Sequence, residues 1–463
     1  MLRIHKRGDI LGELCELVLG YDQRRVIDVD AEAFEGYIDS MSGAPPFRLP
    51  GTHFAGALVW LLLGGAGLVA VAPDLAAGRF LSPRVLAVTH LYTLGVIVTS
   101  IFGALYQFYP MSLGAGARSI PVGVVGAWLV QVGVALLVAG FWFWRPWFQA
   151  AGWGALFLAV GCVAWNLLPQ RRRMSQGRRA AAYVSAAHSM LGLVLLLAAA
   201  RIGASLGWWE IDRLGMIAAH FHLAAFGFAG LTAVGVGGRM IPMFLVAGAA
   251  PEWPMRFIGP GTVGSLLALT AGLLLGYPLA VWLGAVVGVG SAALFVGLIA
   301  WFFRRRLVRR LEPTFGHVLV GFCCLVLGLA VGVAQLLLPG TSARGWIIYG
   351  ELILLGWLVI FITGIWYRLF AFLIWLHFYG RHGAQVRPAA ELVHRPTAWV
   401  ALGLLAGGVI LLVAGTALMS PAGTRAGASA ILAGSLLVAS QYIRIFGGRN
   451  TGSRPTTSLS GSQ

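Results

Sequence analysis

The chain of 463 residues is 59% hydrophobic and only 11% charged, where a soluble domain carries about a quarter charged residues, and its mean hydropathy of +0.83 excludes a soluble enzyme. Lys+Arg 33 against Asp+Glu 16 leaves a formal charge of +17. In a membrane protein such an excess first reports orientation, so it carries no argument for a nucleic-acid partner.

The opening segment, residues 1–48, holds nine of the sixteen acids, together with Leu11, Leu14, Leu17 and Val18 at helical spacing. It reads as one or two amphipathic helices resting on the cytoplasmic membrane face or on a neighbour, and its polar start has no signal-peptide pattern. Apolar runs long enough to cross a bilayer, about twenty residues each, then begin near Thr52, Arg84, Pro121, Phe148, Ala181, Arg213, Ile258, Pro278, Thr314, Trp346, Thr397 and Gly427. The expected architecture is an all-α polytopic membrane protein of twelve transmembrane helices over residues 49–446. A Ser/Thr/Gly-rich tail, 447–463, has the composition of a disordered cytoplasmic segment.

Arginine clusters fall at Arg171, Arg172, Arg173, Arg178 and Arg179, at Arg304, Arg305, Arg306, Arg309 and Arg310, and at Arg381, Arg387 and Arg395. Each cluster follows an even-numbered span. The positive-inside rule therefore puts both termini in the cytoplasm, and Trp142, Trp144, Trp147, Trp208 and Trp209 fit an interfacial aromatic belt. Adjacent Cys323 and Cys324 lie in an apolar run and read as small packing residues.

A repeat organises the spans. His90 is followed by Gly95, Gly103 and Pro110, and His222 by Gly227, Gly235 and Pro242, at the same offsets. Glu351, Gly356 and Gly364 keep the frame, with Ala371 in place of the proline, while Gln107, Arg239 and Arg368 share one equivalent position. His53, His188 and His317 sit at the start of the preceding odd spans, and both series recur every 129–135 residues. The expectation is three pseudo-repeats of four helices, about 52–170, 180–303 and 314–446.

Ionisable groups inside a bilayer mark functional sites by default. His90, His220, His222 and Glu351 enter about 9–14 Å from the outer ends of their spans at 1.5 Å per residue. Glu351 is the one acid within an apolar span. His220 and His222 are about 200° apart around their helix, so they face opposite sides. One helix then offers an imidazole to each of two compartments, and a bis-His pair is the ligand set of a six-coordinate haem. The six glycines permit close approach of a flat macrocycle or of another helix. At the inner ends, His53, His188, His317, Arg239 and Arg368 read as snorkelling or interface side chains, with haem propionates, lipid phosphates or a proton path as alternatives. His5, His377, His382 and His394 fall in terminal or loop regions without an assigned role.

The run Ala219-His220-Phe221-His222, with Gly235 and Pro242-Met243-Phe244, resembles the His-Phe-His helix of the haem-copper oxidase catalytic subunit. With Phe226-Gly227-Phe228-Ala229 it is also similar to the NnrS family of haem- and copper-containing membrane proteins associated with nitric oxide stress. The resemblance implies one or two b-type haems, with copper or non-haem iron in addition, held by His90, His220 and His222, and with Glu351 as a stand-in ligand. The low-spin pair is His90 with His222 or His90 with His220. The implied function is electron transfer or handling of a diatomic gas in a bacterial inner membrane, beside a cytochrome c or other redox subunit. A divergent terminal oxidase or nitric oxide reductase is the alternative, although no His-His pair is present to build the oxidase copper site. A secondary transporter is the alternative of another class, disfavoured because transporter repeats are typically two, often inverted.

Overall fold

The computed structural model describes residues 44–173, 177–210, 212–308, 310–338, 343–379 and 389–448. Most of the N-terminal segment, the tail from residue 449, and Arg309, Arg381, Arg387, His5 and His382 lie outside the described residues. Among the described residues there is no strand, and twelve helices are long and apolar enough to cross a membrane. They are α1 Arg48–Ala76, α2 Pro83–Leu113, α3 Ile120–Trp142, α4 Pro146–Gln170, α5 Arg178–Ser205, α6 Arg213–Leu245, α7 Glu252–Leu275, α8 Pro278–Arg305, α9 Pro313–Leu337, α10 Ala343–Phe378, α11 Arg395–Ala417 and α12 Pro421–Phe446.

Local chemistry sets several boundaries. Ser82 caps α2 by accepting from the Val85 amide at 3.3 Å, with Pro83 in the first turn, where its missing N–H is not needed. Asp212 does the same for α6, accepting from Leu214 and Gly215 at 3.3 and 3.0 Å. At its far end α2 stops at Gly114, φ +65°, and α6 stops in the same left-handed conformation at Val246, φ +50°. Glycine enters that region without steric cost, whereas a β-branched residue is strained there.

Helices α3 and α4, α7 and α8, and α11 and α12 pack as hairpins, and α12 closes against α1. Helices α2, α6 and α10 pack on α1, α5 and α9 respectively, and α10 also touches α2 and α6. Burial follows this layout: 83% of the apolar window of α10 and 72% of that of α2 is buried, against 28% for α7 and α8. The exposed faces of the outer helices carry large apolar side chains such as Leu279, Val286 and Leu275, the expected surface toward lipid.

The glycines of the central helices are filled by side chains of other helices. A Cβ at Gly95 would meet Trp60, at Gly103 His53, at Gly227 Met190, at Gly235 Tyr183, at Gly356 Cys324 and at Gly364 His317. Of the two uses expected for them, helix packing is the one observed. Cys324 also has the packing role read from its position.

Each central helix changes its winding at one shared level, and α10 does so a second time at Trp375–Tyr379. Leu91–Val98, Leu223–Gly230 and Glu351–Val359 are π-helical, beginning directly after His90, His222 and Gly350. A π turn is rare and its wide i→i+5 spacing is concentrated at functional sites. Below this level the three helices line a partly open cavity of about 170 Å³. Its walls include Ala104, Val236 and Ile365, and one turn further along Phe108, Met240 and Leu369.

Candidate functional site

An imidazole whose Nδ1 donates to a carbonyl must keep its lone pair on Nε2. His90 is fixed in this way, with Nδ1 2.7 Å from the Leu86 carbonyl four residues back. His222 is fixed by Ala218 at 2.7 Å. His220 instead reaches across to the Val194 backbone on α5.

His90 and His220 come together. Their ring centroids are 6.5 Å apart with planes inclined by 49°, and Phe141 of α3 stacks on His90 at 4.8 Å. Two imidazoles ligating opposite sides of one metal, with metal–nitrogen bonds of about 2.0–2.1 Å, stand roughly 6 Å apart at their centroids. Both rings remain half-buried although they lie deep within their spans. The alternative pair, His90 with His222, is not formed. Tyr349 of α10 donates its hydroxyl to His222 Nε2 at 3.1 Å, and Phe226 stacks on the same ring at 6.0 Å. His220 and His222 thus face α2 and α10 respectively, as two positions about 200° apart require.

Glu351, expected as a stand-in ligand, lies against neither histidine. Its Oε1 accepts from Thr416 of α11 at 2.7 Å, on the side of α10 away from Tyr349. The reason is again angular, since Tyr349 and Glu351 stand two residues apart on one helix. Tyr349 is the site residue that sequence reasoning missed. The available signal was its position, two before Glu351, which repeats the spacing of His220 and His222.

The inner-end residues do not form one cluster. His53 lies against Tyr106 at 5.7 Å and His317 against Tyr367 at 5.4 Å, whereas Tyr183, not His188, fills the corresponding place beside Gly235. His188 stacks on Phe102 at 6.2 Å, with Phe228 at 6.0 Å. In all three rings Nδ1 bonds the carbonyl four residues back, and Nε2 is buried with no protein partner. Arg368 pairs with Glu312 at 2.5 Å and lies over Phe244 at 5.5 Å. Arg239 is half-buried beside Gly177, outside the cavity that Gln107 and Arg368 line. His377, read as a loop residue, is instead helical and contacts the Leu373 and Pro45 carbonyls at 2.9 and 3.1 Å.

Among the described residues no group of three or more His, Cys, Asp or Glu could hold a bare metal ion. No known protein family matches the chain. No curated protein matches it either.

Proposed function

We propose that the protein is a haem-binding electron-transfer component of a membrane, with His90 and His220 as the two axial ligands of one b-type haem. The observation that carries this reading is the pair itself: two neighbouring imidazoles with centroids 6.5 Å apart, one with Nε2 left basic by its bond to Leu86. A bare ion asks for about four protein donors, and two are present, whereas a porphyrin supplies four nitrogens and needs only an axial pair. When bound, such a haem supplies reversible one-electron chemistry. Phe141 stacks on His90, and the Val194 backbone lies beside His220 from a second helix. Both ligands are therefore oriented before the group arrives.

With both axial positions filled from the protein, electron transfer is favoured over gas binding at this pair. His222 is the remaining candidate for a second haem, copper or non-haem iron, and there Tyr349 already occupies Nε2. The resemblance to haem-copper oxidases and NnrS proteins supports a bacterial inner-membrane location and a redox partner such as a cytochrome c. The arginine clusters support cytoplasmic termini. The matching positions of the three π segments support the three-repeat organisation.

The test is a reduced-minus-oxidised absorption spectrum of the purified, folded protein with iron and copper analysis. We expect the bands of a six-coordinate low-spin haem b, lost in His90→Ala and in His220→Ala and retained in His222→Ala. A folded protein reconstituted with haem that shows no such bands overturns the reading.

A further inference from the structure

Gln107 lines the central cavity from α2, only 3% exposed, and neither its amide oxygen nor its amide nitrogen has a hydrogen-bond partner. An unsatisfied buried amide costs folding free energy. Such a group persists where something absent from the protein itself completes it. Most of the remaining lining is apolar, with the aromatic rings of Phe108, Phe244 and Trp366 and the thioethers of Met111, Met240 and Met243, while Ser100, Ser112, Thr232 and Tyr367 add hydroxyls. Rings and thioethers make favourable contacts with another aromatic ring. Arg368, also at the wall, is already paired with Glu312. An anionic head group would therefore have to compete with that carboxylate, and a cation would meet a guanidinium.

We propose that this cavity is a binding site for a neutral, membrane-soluble ring compound bearing one hydroxyl or carbonyl group, with that group on the Gln107 amide. Size agrees, because an apolar cavity of about 150 Å³ admits benzene and this one, open on one side, holds about 170 Å³. Ring recognition falls to the apolar walls, which tolerate variation. Head-group recognition falls to the amide, which both donates and accepts. The site is separate from the imidazole pair and does not depend on the haem reading: Gln107 is seventeen residues beyond His90 on the same helix, roughly 25 Å along its axis.

The test uses full-length protein in lipid nanodiscs and fluorine-19 relaxation of two probes, 4-fluorobenzyl alcohol and 4-fluorotoluene, with empty nanodiscs as the baseline. The alcohol should bind above baseline. Gln107→Leu and Gln107→Met should weaken it about tenfold, leave 4-fluorotoluene unchanged, and keep or raise the thermal stability, since both remove an unsatisfied amide. Ala233→Phe, which fills the cavity from α6, should abolish binding of both probes. Alcohol binding at the empty-nanodisc baseline, or equal affinity in wild type and both Gln107 variants, overturns the proposal. Binding that survives Ala233→Phe does so as well.

Discussion

At the scale of single residues, the same local device recurs in His53, His90, His188, His222 and His317. Each gives Nδ1 to the carbonyl one turn back and so presents Nε2 outward from its helix. What differs is the ring's neighbour, a second imidazole beside His90 and a phenol on Nε2 of His222. That difference was not legible in the sequence. Spacing along α6 gives the two directions in which its histidines point, but the choice of neighbour depends on how whole helices are arranged laterally. A second consequence at this scale concerns Glu312, which is 13% exposed at the start of α9 and holds Arg368, itself 6% exposed. Removing one member of a buried ion pair costs about 3–5 kcal/mol, because the other charge stays buried. We expect Glu312→Gln to lose about 3 kcal/mol in reversible unfolding, with much of it recovered in the double variant Glu312→Gln/Arg368→Met. A loss below about 1 kcal/mol would show that Glu312 and its pairing with Arg368 and Arg395 are dispensable for stability.

At the scale of elements, helix count and approximate boundaries were readable because length and hydropathy fix a membrane span almost without reference to neighbours. The π segments were not readable. An apolar run such as Leu-Tyr-Thr-Leu-Gly-Val-Ile-Val carries the same composition whether wound as α or π, and the choice is made by what the helix packs against. Small residues show the same division. Gly403 and Gly427 look equivalent in an apolar run, yet a Cβ at Gly427 would strike the Leu412 backbone while one at Gly403 meets nothing within 4 Å. Gly427→Leu should therefore separate α11 from α12 and destabilise by about 1–3 kcal/mol. Gly403→Leu, facing outward, should change the melting temperature little. Equal effects in a thermal unfolding series would mean that the α11–α12 hairpin is not held by close backbone approach.

At the scale of the molecule, twelve alternating spans put Arg178 and Arg179, Arg304 to Arg306, and Arg395 on one side, and Trp208 with Trp209 on the other. In a cysteine-free background, Leu307→Cys should react with an impermeant maleimide only after the cytoplasmic face is opened. Trp208→Cys should react in intact cells. Both positions are exposed, so the reverse pattern would invert the orientation rather than reflect hindrance.

The three wide turns that begin beside His90, His222 and Gly350 also divide the central helices into two storeys, the His90–His220 pair above and the cavity below. A π turn is equivalent to an α-helix holding one extra residue, and each α residue advances the helix by about 100°. The extra residue therefore acts as a rotary offset that sets which way the upper storey faces once the lower storey is packed. Deleting Leu94 alone would rewind α2 and swing His90 through about a quarter turn, away from His220, with the walls around Ala104 and Phe108 left in register. Loss of the low-spin haem bands with 4-fluorobenzyl alcohol binding retained is the expected signature. Loss of both together would mean that the two storeys cannot be dialled independently.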